Sequence, residues 1–252
     1  MSVGRPAPGS LTVHLIRHGQ TASYDEDTGL TELGRRQAIG RGVQLAALCR
    51  DGDQIRFGYA PTVRTRATAE LLQAAVLQRV AELGITLKDG GIQPEPGFRN
   101  VQVWTDEGPM EPTRARGRHL ELLAADAGIP RGWVSEARQF WCAHEATGDA
   151  MTFWLKTPLL WHEPPASVVQ RMLLVSLGRV AEGIGQHLFV ATHSGCLRAL
   201  VACVAGTDLG EPDNAEEVTL ELAAGSDVVA VSYRDHRWQA RIPTALLNWS
   251  AT

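Results

Sequence analysis

Two histidines and two arginines stand where apolar runs of the chain give way to loops. His18 follows Leu11-Thr-Val-His-Leu-Ile16 and is preceded by Arg17, while His193 follows Leu188-Phe-Val-Ala-Thr192 and leads into Ser194-Gly195. Arg64 comes shortly after Ile55-Arg-Phe-Gly-Tyr59. An imidazole has an ordinary pKa of about 6.5, so at neutral pH it offers a lone pair or carries a proton. Guanidinium forks match the geometry of a phosphoryl group, which holds about −1.5 to −2 charges on its oxygens. Gathered at one place, Arg17, His18, Arg64 and His193 make a cationic, donor-rich pocket for such a group. Phosphoryl transfer is mostly positioning and stabilisation of charge on oxygen, which these side chains supply without a metal.

Positioning them falls to the elements on either side. Leu11–Ile16, Ile55–Tyr59 and Leu188–Thr192 have the length and apolar character of buried strands. Thr31 has the side chain of an N-cap for a helix to about Leu48, with Leu33, Ile39, Val43 and Ala46 on one side. Helical spacing of Ala67, Leu71, Leu72, Ala75, Val76 and Val80 predicts a second helix from Thr62 to about Leu83, and Leu197–Val204 a third. Three short strands, Val218–Leu222, Val228–Tyr233 and Arg237–Ile242, close the chain. This alternation predicts a three-layer α/β/α sandwich around a mostly parallel sheet, with ligands bound beyond the carboxyl ends of its strands. A helical, aromatic-rich insertion or cap is expected at about 101–165, where five of the seven tryptophans lie. Residues 1–10 are expected to be a disordered lead-in to a single domain spanning 11–252. Within the insertion, Arg114, Arg116 and Arg118 would share one side if extended and grip a second anionic group; otherwise they form a solvated face.

The composition narrows the function classes. A net charge of −4 lacks the basic stripe that nucleic-acid binding needs. Of the 24 basic residues only Lys88 and Lys156 are lysine, an imbalance that a GC-rich genome or a use of arginine forks would each produce. No apolar stretch approaches the roughly 18 residues that span a bilayer, and the N-terminus lacks a signal-peptide pattern, so a cytoplasmic protein without membrane partners is expected. Cys49, Cys142, Cys196 and Cys203 have no CxxC spacing and are expected to be buried thiols. His144-Glu145 and His162-Glu163 do not extend to HExxH, so neither a metal nor a cofactor is expected. The aromatic-rich stretch is compatible with a homodimer.

Four blocks in order, Arg17-His-Gly-Gln-Thr21, Leu30-Thr-Glu-Leu-Gly-Arg-Arg-Gln-Ala38, Ala60-Pro-Thr-Val-Arg-Thr-Arg-Ala-Thr-Ala69 and Ala191-Thr-His-Ser-Gly-Cys-Leu-Arg-Ala-Leu200, resemble the histidine phosphatase superfamily, also called phosphoglycerate mutase-like. The resemblance covers roughly residues 11–100 and 165–235. It implies that His18 attacks phosphorus to form a phosphohistidine, that Arg17, Arg64 and His193 complete the phosphate pocket, and that a carboxylate protonates the leaving oxygen. Gly19, Gln20 and Ser194, beside the two histidines, are expected at the substrate. Glu95 and Phe98 match the family's Glu-x-x-Phe spacing, making Glu95 the expected acid, although Arg99 stands where glycine is common. Asp106 and Glu107 are its competitors.

Departures from the family pattern bear on the substrate. Ala22-Ser-Tyr24 lacks the asparagine many members carry after Arg-His-Gly, the mutase block Glu-Arg-His-Tyr-Gly is absent, and Pro165-Ala-Ser167 lacks the acid of a Gly-Glu-Ser motif. The expectation is a metal-independent phosphatase acting on a small phosphorylated metabolite. The alternatives are mutase-type phosphoryl transfer and a non-catalytic phosphate-ligand-binding protein of the same fold.

Overall fold

The computed structural model describes residues 9–24, 26–125 and 132–243. In chain order, β1 (Ser10–Arg17), α1 (Glu32–Ala46), β2 (Gln54–Tyr59), α2 (Val63–Glu82) and β3 (Lys88–Pro94) form the first half. A short hairpin, β4 (Val103–Thr105) and β5 (Gly108–Met110), then leads to α3 (Pro112–Ala125), α4 (Trp133–Thr147) and α5 (Ala150–Lys156). The second half runs α6 (Pro165–Glu182), β6 (His187–Thr192), α7 (Ser194–Ala205), β7 (Glu217–Ala223), β8 (Val228–Tyr233) and β9 (His236–Arg241). The expected lead-in mostly lies outside the described residues; Ser10, assigned to it, already belongs to β1.

The seven-stranded sheet has the order β3-β2-β6-β1-β7-β8-β9. Its first four strands are mutually parallel, and β7, β8 and β9 add antiparallel pairs. The central strands are near-continuous apolar runs because both faces are covered. On one face Ile16, Phe57 and Phe189 pack with Leu45 of α1 and Leu72 and Val76 of α2. On the other, Val13, Leu15, Leu188 and Val190 pack with α6 and α7 and, through Phe140, Trp141 and Trp154, with α4 and α5. The molecule is thus a three-layer sandwich with a mostly parallel sheet.

Three sequence expectations change. Leu33, Ile39 and Val43 of α1 are exposed; the buried face is Gly34, Ala38, Gly42, Leu45 and Ala46. Small residues face α2 because the two backbones approach closely: a Cβ at Gly42 would lie 2.7 Å from the Ala75 Cβ and 2.9 Å from the Leu72 carbonyl oxygen. β3 had no strand signal, since Asp89-Gly-Gly91 and Pro94 interrupt any alternation, as an edge strand allows. Cys142 and Cys203 are exposed while Cys49 and Cys196 are buried, and all four are free.

Gly42→Leu is expected to lower stability by about 1–3 kcal/mol, an overpacking cost. Urea unfolding measures it; unchanged stability would show that the α1–α2 contact yields without strain.

Candidate active site

The parallel order brings the carboxyl ends of β2, β6 and β1 side by side. Arg17 of β1 is in register with Thr192 of β6, so His18 and His193, one residue beyond each, become neighbours. The His18 amide donates to the Thr192 carbonyl at 2.9 Å, and the two rings lie 5.4 Å apart with planes at 68°. β2 flanks β6 on its other side, and the chain turns through Ala60-Pro61 into α2, capped by the Thr62 side chain. Arg64, in the first turn, reaches back with Nη2 3.4 Å from His193 Nδ1. The four residues expected at one place are together.

Hydrogen bonds set the histidine tautomers. His18 Nδ1 lies 2.8 Å from the Gly19 carbonyl, which only accepts, so Nδ1 carries the hydrogen and Nε2 keeps its lone pair. His193 Nδ1 faces the Arg64 guanidinium, which only donates, so the hydrogen of the neutral ring is on Nε2. Burial first, then the Arg64 charge, pushes His18 down to about 3, and the same causes hold His193 well below its ordinary value. Both rings are therefore neutral at pH 7. His193 Nε2, Arg17 Nε and Arg64 Nε are buried without a hydrogen-bond partner among the described residues. Buried donors are normally paired, so three orphans around one pocket mark where an anionic oxygen would be held. His193 also begins α7, whose first-turn amides add partial positive charge.

The arginine forks carry carboxylates. Arg17 donates to the Pro212 carbonyl and to Tyr24 Oη at 3.2 Å, and pairs with Glu211 at 3.1 Å. Arg64 pairs with Asp27 at 3.1 Å and with Glu111. The pocket is a cavity of about 120 Å³. Pro112, Phe140, Trp141, Ala150 and Met151 give it an apolar wall. His18, Tyr24, His144, Trp141 and Phe140 form an unbroken series of ring contacts, with centroids 5.4–6.3 Å apart.

Two arginines fix the pocket walls. Arg171 of α6 donates to the carbonyls of Gly97, Arg99 and Asn100, which holds Asn100 at the pocket. Arg198 of α7 joins Asp149, Asp208, Glu211 and the Thr152 hydroxyl, tying α5 and the 208–211 loop together.

Other expected site residues fall elsewhere. Ser194 lines the pocket, but Gly19 and Gln20 do not. Gly19 lies against α1, where a Cβ would collide with the Gly34 carbonyl, and Gln20 bonds to Thr31 and Gln37. Glu95 is not at the pocket either. It follows β3, which two strands separate from β1, and its carboxylate is buried against Arg179 at 2.9 Å with its Cγ over Gly58. Asp106 and Glu107 pair with Arg118 on the surface. Arg114, Arg116 and Arg118 lie on α3 and so do not share one side; Arg116 stacks on Trp141 with its carbon 4.5 Å from the ring centroid. His162 stacks on Phe140 and bonds Glu136 at 3.3 Å. Among the described residues no group of three or more His, Cys, Asp or Glu side chains could hold a metal ion, and no helix is long and apolar enough to cross a membrane.

Tyr24, Asn100, Glu111, His144, Asp149 and Glu211 at or beside the pocket were not picked out by sequence reasoning. Tyr24 had a usable signal, since it lies in the loop after Arg-His-Gly. The others carry no spacing that separates them from surface residues.

Residues 13–84 match the model of the histidine phosphatase superfamily (branch 1). YhfR of Bacillus stearothermophilus is 19% identical, covering 86% of this chain and 93% of its own, with a TM-score of 0.50. A phosphoglycerate mutase from Bacillus anthracis str. Sterne is 17% identical, covering 89% and 92%, also with a TM-score of 0.50. A mycobacterial glucosyl-3-phosphoglycerate phosphatase is 18% identical, covering 84% and 90%, with a TM-score of 0.47. No curated protein matches in sequence. The family match spans three of the four sequence blocks, those within residues 17–69, and the two structures with a TM-score of 0.50 share the fold.

The neutral histidines make stability depend on pH. Burial, then His14, also lowers His187, to about 4. Unfolding returns such rings to about 6.5 and lets them take up protons below it. Their contribution is complete above pH 6.5 and is lost as pH falls through their folded values, about 4 for His187 and about 3 for His18. The thermal midpoint is expected to fall steadily from pH 6.5 to pH 5, above the range in which carboxylates titrate. A flat midpoint there would show that the rings charge within the fold.

Proposed function

We propose that this chain, histidine phosphatase-like in its fold and family match, is a phosphomonoesterase that passes the phosphoryl group through His18. The observation that carries the proposal is the neutral His18 ring, with Nε2 unprotonated beside the unpartnered buried donors of Arg17, Arg64 and His193. The guanidiniums and His193 Nε2–H bind the phosphoryl oxygens as charge builds on them. The Nε2 lone pair attacks phosphorus in line with the leaving oxygen, and water then releases phosphate from the phosphohistidine. The arginines provide the positive charge, so no metal enters the scheme. Each exchange of the forks from carboxylate to phosphate keeps the buried charges paired.

The substrate is a small phosphomonoester whose alcohol part lies against Tyr24, Trp141 and Met151, a wall that favours aromatic or apolar groups. The segment 101–165 acts as the cap that carries most of this wall within a single domain.

Phosphate release from a panel of phosphomonoesters in EDTA is the test. Wild type is expected to turn over, and His18→Ala to lose at least about 10³-fold in kcat. A fully active His18→Ala would overturn the proposal. Trp141→Ala is expected to raise KM for aromatic esters about 10-fold with little change for short alkyl ones; equal changes would remove the wall from recognition.

A further inference from the structure

The expected acid, Glu95, is held in an ion pair with Arg179 away from the pocket, which leaves the protonation of the leaving group without a donor. Four other carboxylates reach the cluster. Asp27 accepts from the Val63 amide on Oδ2 and from the Arg64 amide and Nη1 on Oδ1. Glu211 gives Oε1 to Arg17 and Oε2 to Arg198. Asp149 has Oδ1 on Arg198 and the Thr152 amide and Oδ2 on the Thr152 hydroxyl. Burial works to raise Asp149, but those bonds outweigh it and hold the group at about 2. In each of these three, both oxygens are already engaged by donors, which leaves neither free to carry a transferable proton.

Glu111 differs. Its Oε1 accepts from Arg64 Nη2, from Asn100 Nδ2 at 2.8 Å and from the Thr113 hydroxyl at 3.4 Å. Its Oε2 has no partner among the described residues. The side chain is largely buried, at 15% exposure, and it joins the His18–His193 cluster through the same Arg64 nitrogen that faces His193. Asn100 and Thr113, its other partners, both line the pocket, and Glu111 itself lines the adjoining cavity that shares those two residues.

We propose that Glu111 is the catalytic acid of this site, donating the proton on Oε2 to the leaving oxygen. The assignment rests on the phosphomonoesterase reading. A bound phosphoryl group competes with Glu111 for Arg64 and so frees its carboxyl to face the leaving oxygen. In the first step the His18 Nε2 lone pair forms the N–P bond. The P–O bond breaks with its electron pair going to the leaving oxygen, which takes the Glu111 proton and departs as alcohol. In the second step the Glu111 carboxylate removes a proton from water as the water oxygen bonds to phosphorus. The P–N electron pair returns to Nε2, phosphate leaves, and Glu111 is again protonated.

The test compares p-nitrophenyl phosphate, whose leaving group needs no proton, with phenethyl phosphate, whose leaving group does. Glu111→Gln keeps the acceptor for Arg64 and Asn100 but holds no transferable proton. It is expected to lower kcat/KM for phenethyl phosphate by about 10²–10³-fold and for p-nitrophenyl phosphate by less than about 3-fold. A retained kcat/KM for p-nitrophenyl phosphate, which reads only the first step, also reports that the variant folds. Glu111→Asp, which keeps a carboxyl, is expected to recover part of the phenethyl activity, and Glu95→Gln to affect both esters alike. Equal losses for Glu111→Gln, or the split appearing in Glu95→Gln instead, would overturn the assignment while the phosphomonoesterase reading stands. A wild-type protein silent on both esters would overturn that reading, and this assignment with it.

Discussion

Arg64 is buried to 2% exposure in the first turn of α2, with Asp27 and Glu111 on its fork and the His193 ring beside it. A guanidinium taken out of water costs several kcal/mol unless its charge and donors are met. The fold meets them with two carboxylates from distant parts of the chain, one in the loop after β1 and one just before α3. Burial first, and then the same charge, keeps His18 and His193 neutral. Positive charge therefore resides on the arginines and the free lone pair on an imidazole.

Strand order makes this arrangement compact. β6 lies between β1 and β2, so the residues just beyond three parallel strands meet at one edge of the sheet although some 175 positions separate His18 from His193. β3 runs parallel too, but at the edge, and the chain leaving it turns onto the α6 face. Glu95 is consequently a structural ion-pair partner over Gly58, where a residue with a side chain would displace it.

The remaining wall comes from the part of the chain least like a repeating sandwich. α4 and α5 place Phe140, Trp141 and Met151 against the pocket, and the Arg198 network fastens α5 to α7. Breaking a buried network of this kind by removing one partner typically costs about 3–5 kcal/mol. The pocket wall and the core are thus stabilised by the same contacts, since Phe140 and Trp141 also belong to the main hydrophobic cluster.

The sequence by itself determined the alternation of strands and helices, the N-cap at Thr31, and the four residues that the strand ends bring together. Each rests on local physics: apolar runs bury, hydroxyls cap helix amides, and residues after parallel strands converge. Tertiary structure alone decided the buried face of α1, because Gly42 and Ala38 matter through the closeness of α2 and not through their hydrophobicity. It also decided the fate of the carboxylates. Glu95 has the expected spacing yet binds Arg179, while Glu111 has no distinguishing spacing yet binds Arg64. A carboxylate's role is set by which charge lies within a few ångströms, and that distance depends on how separate segments pack.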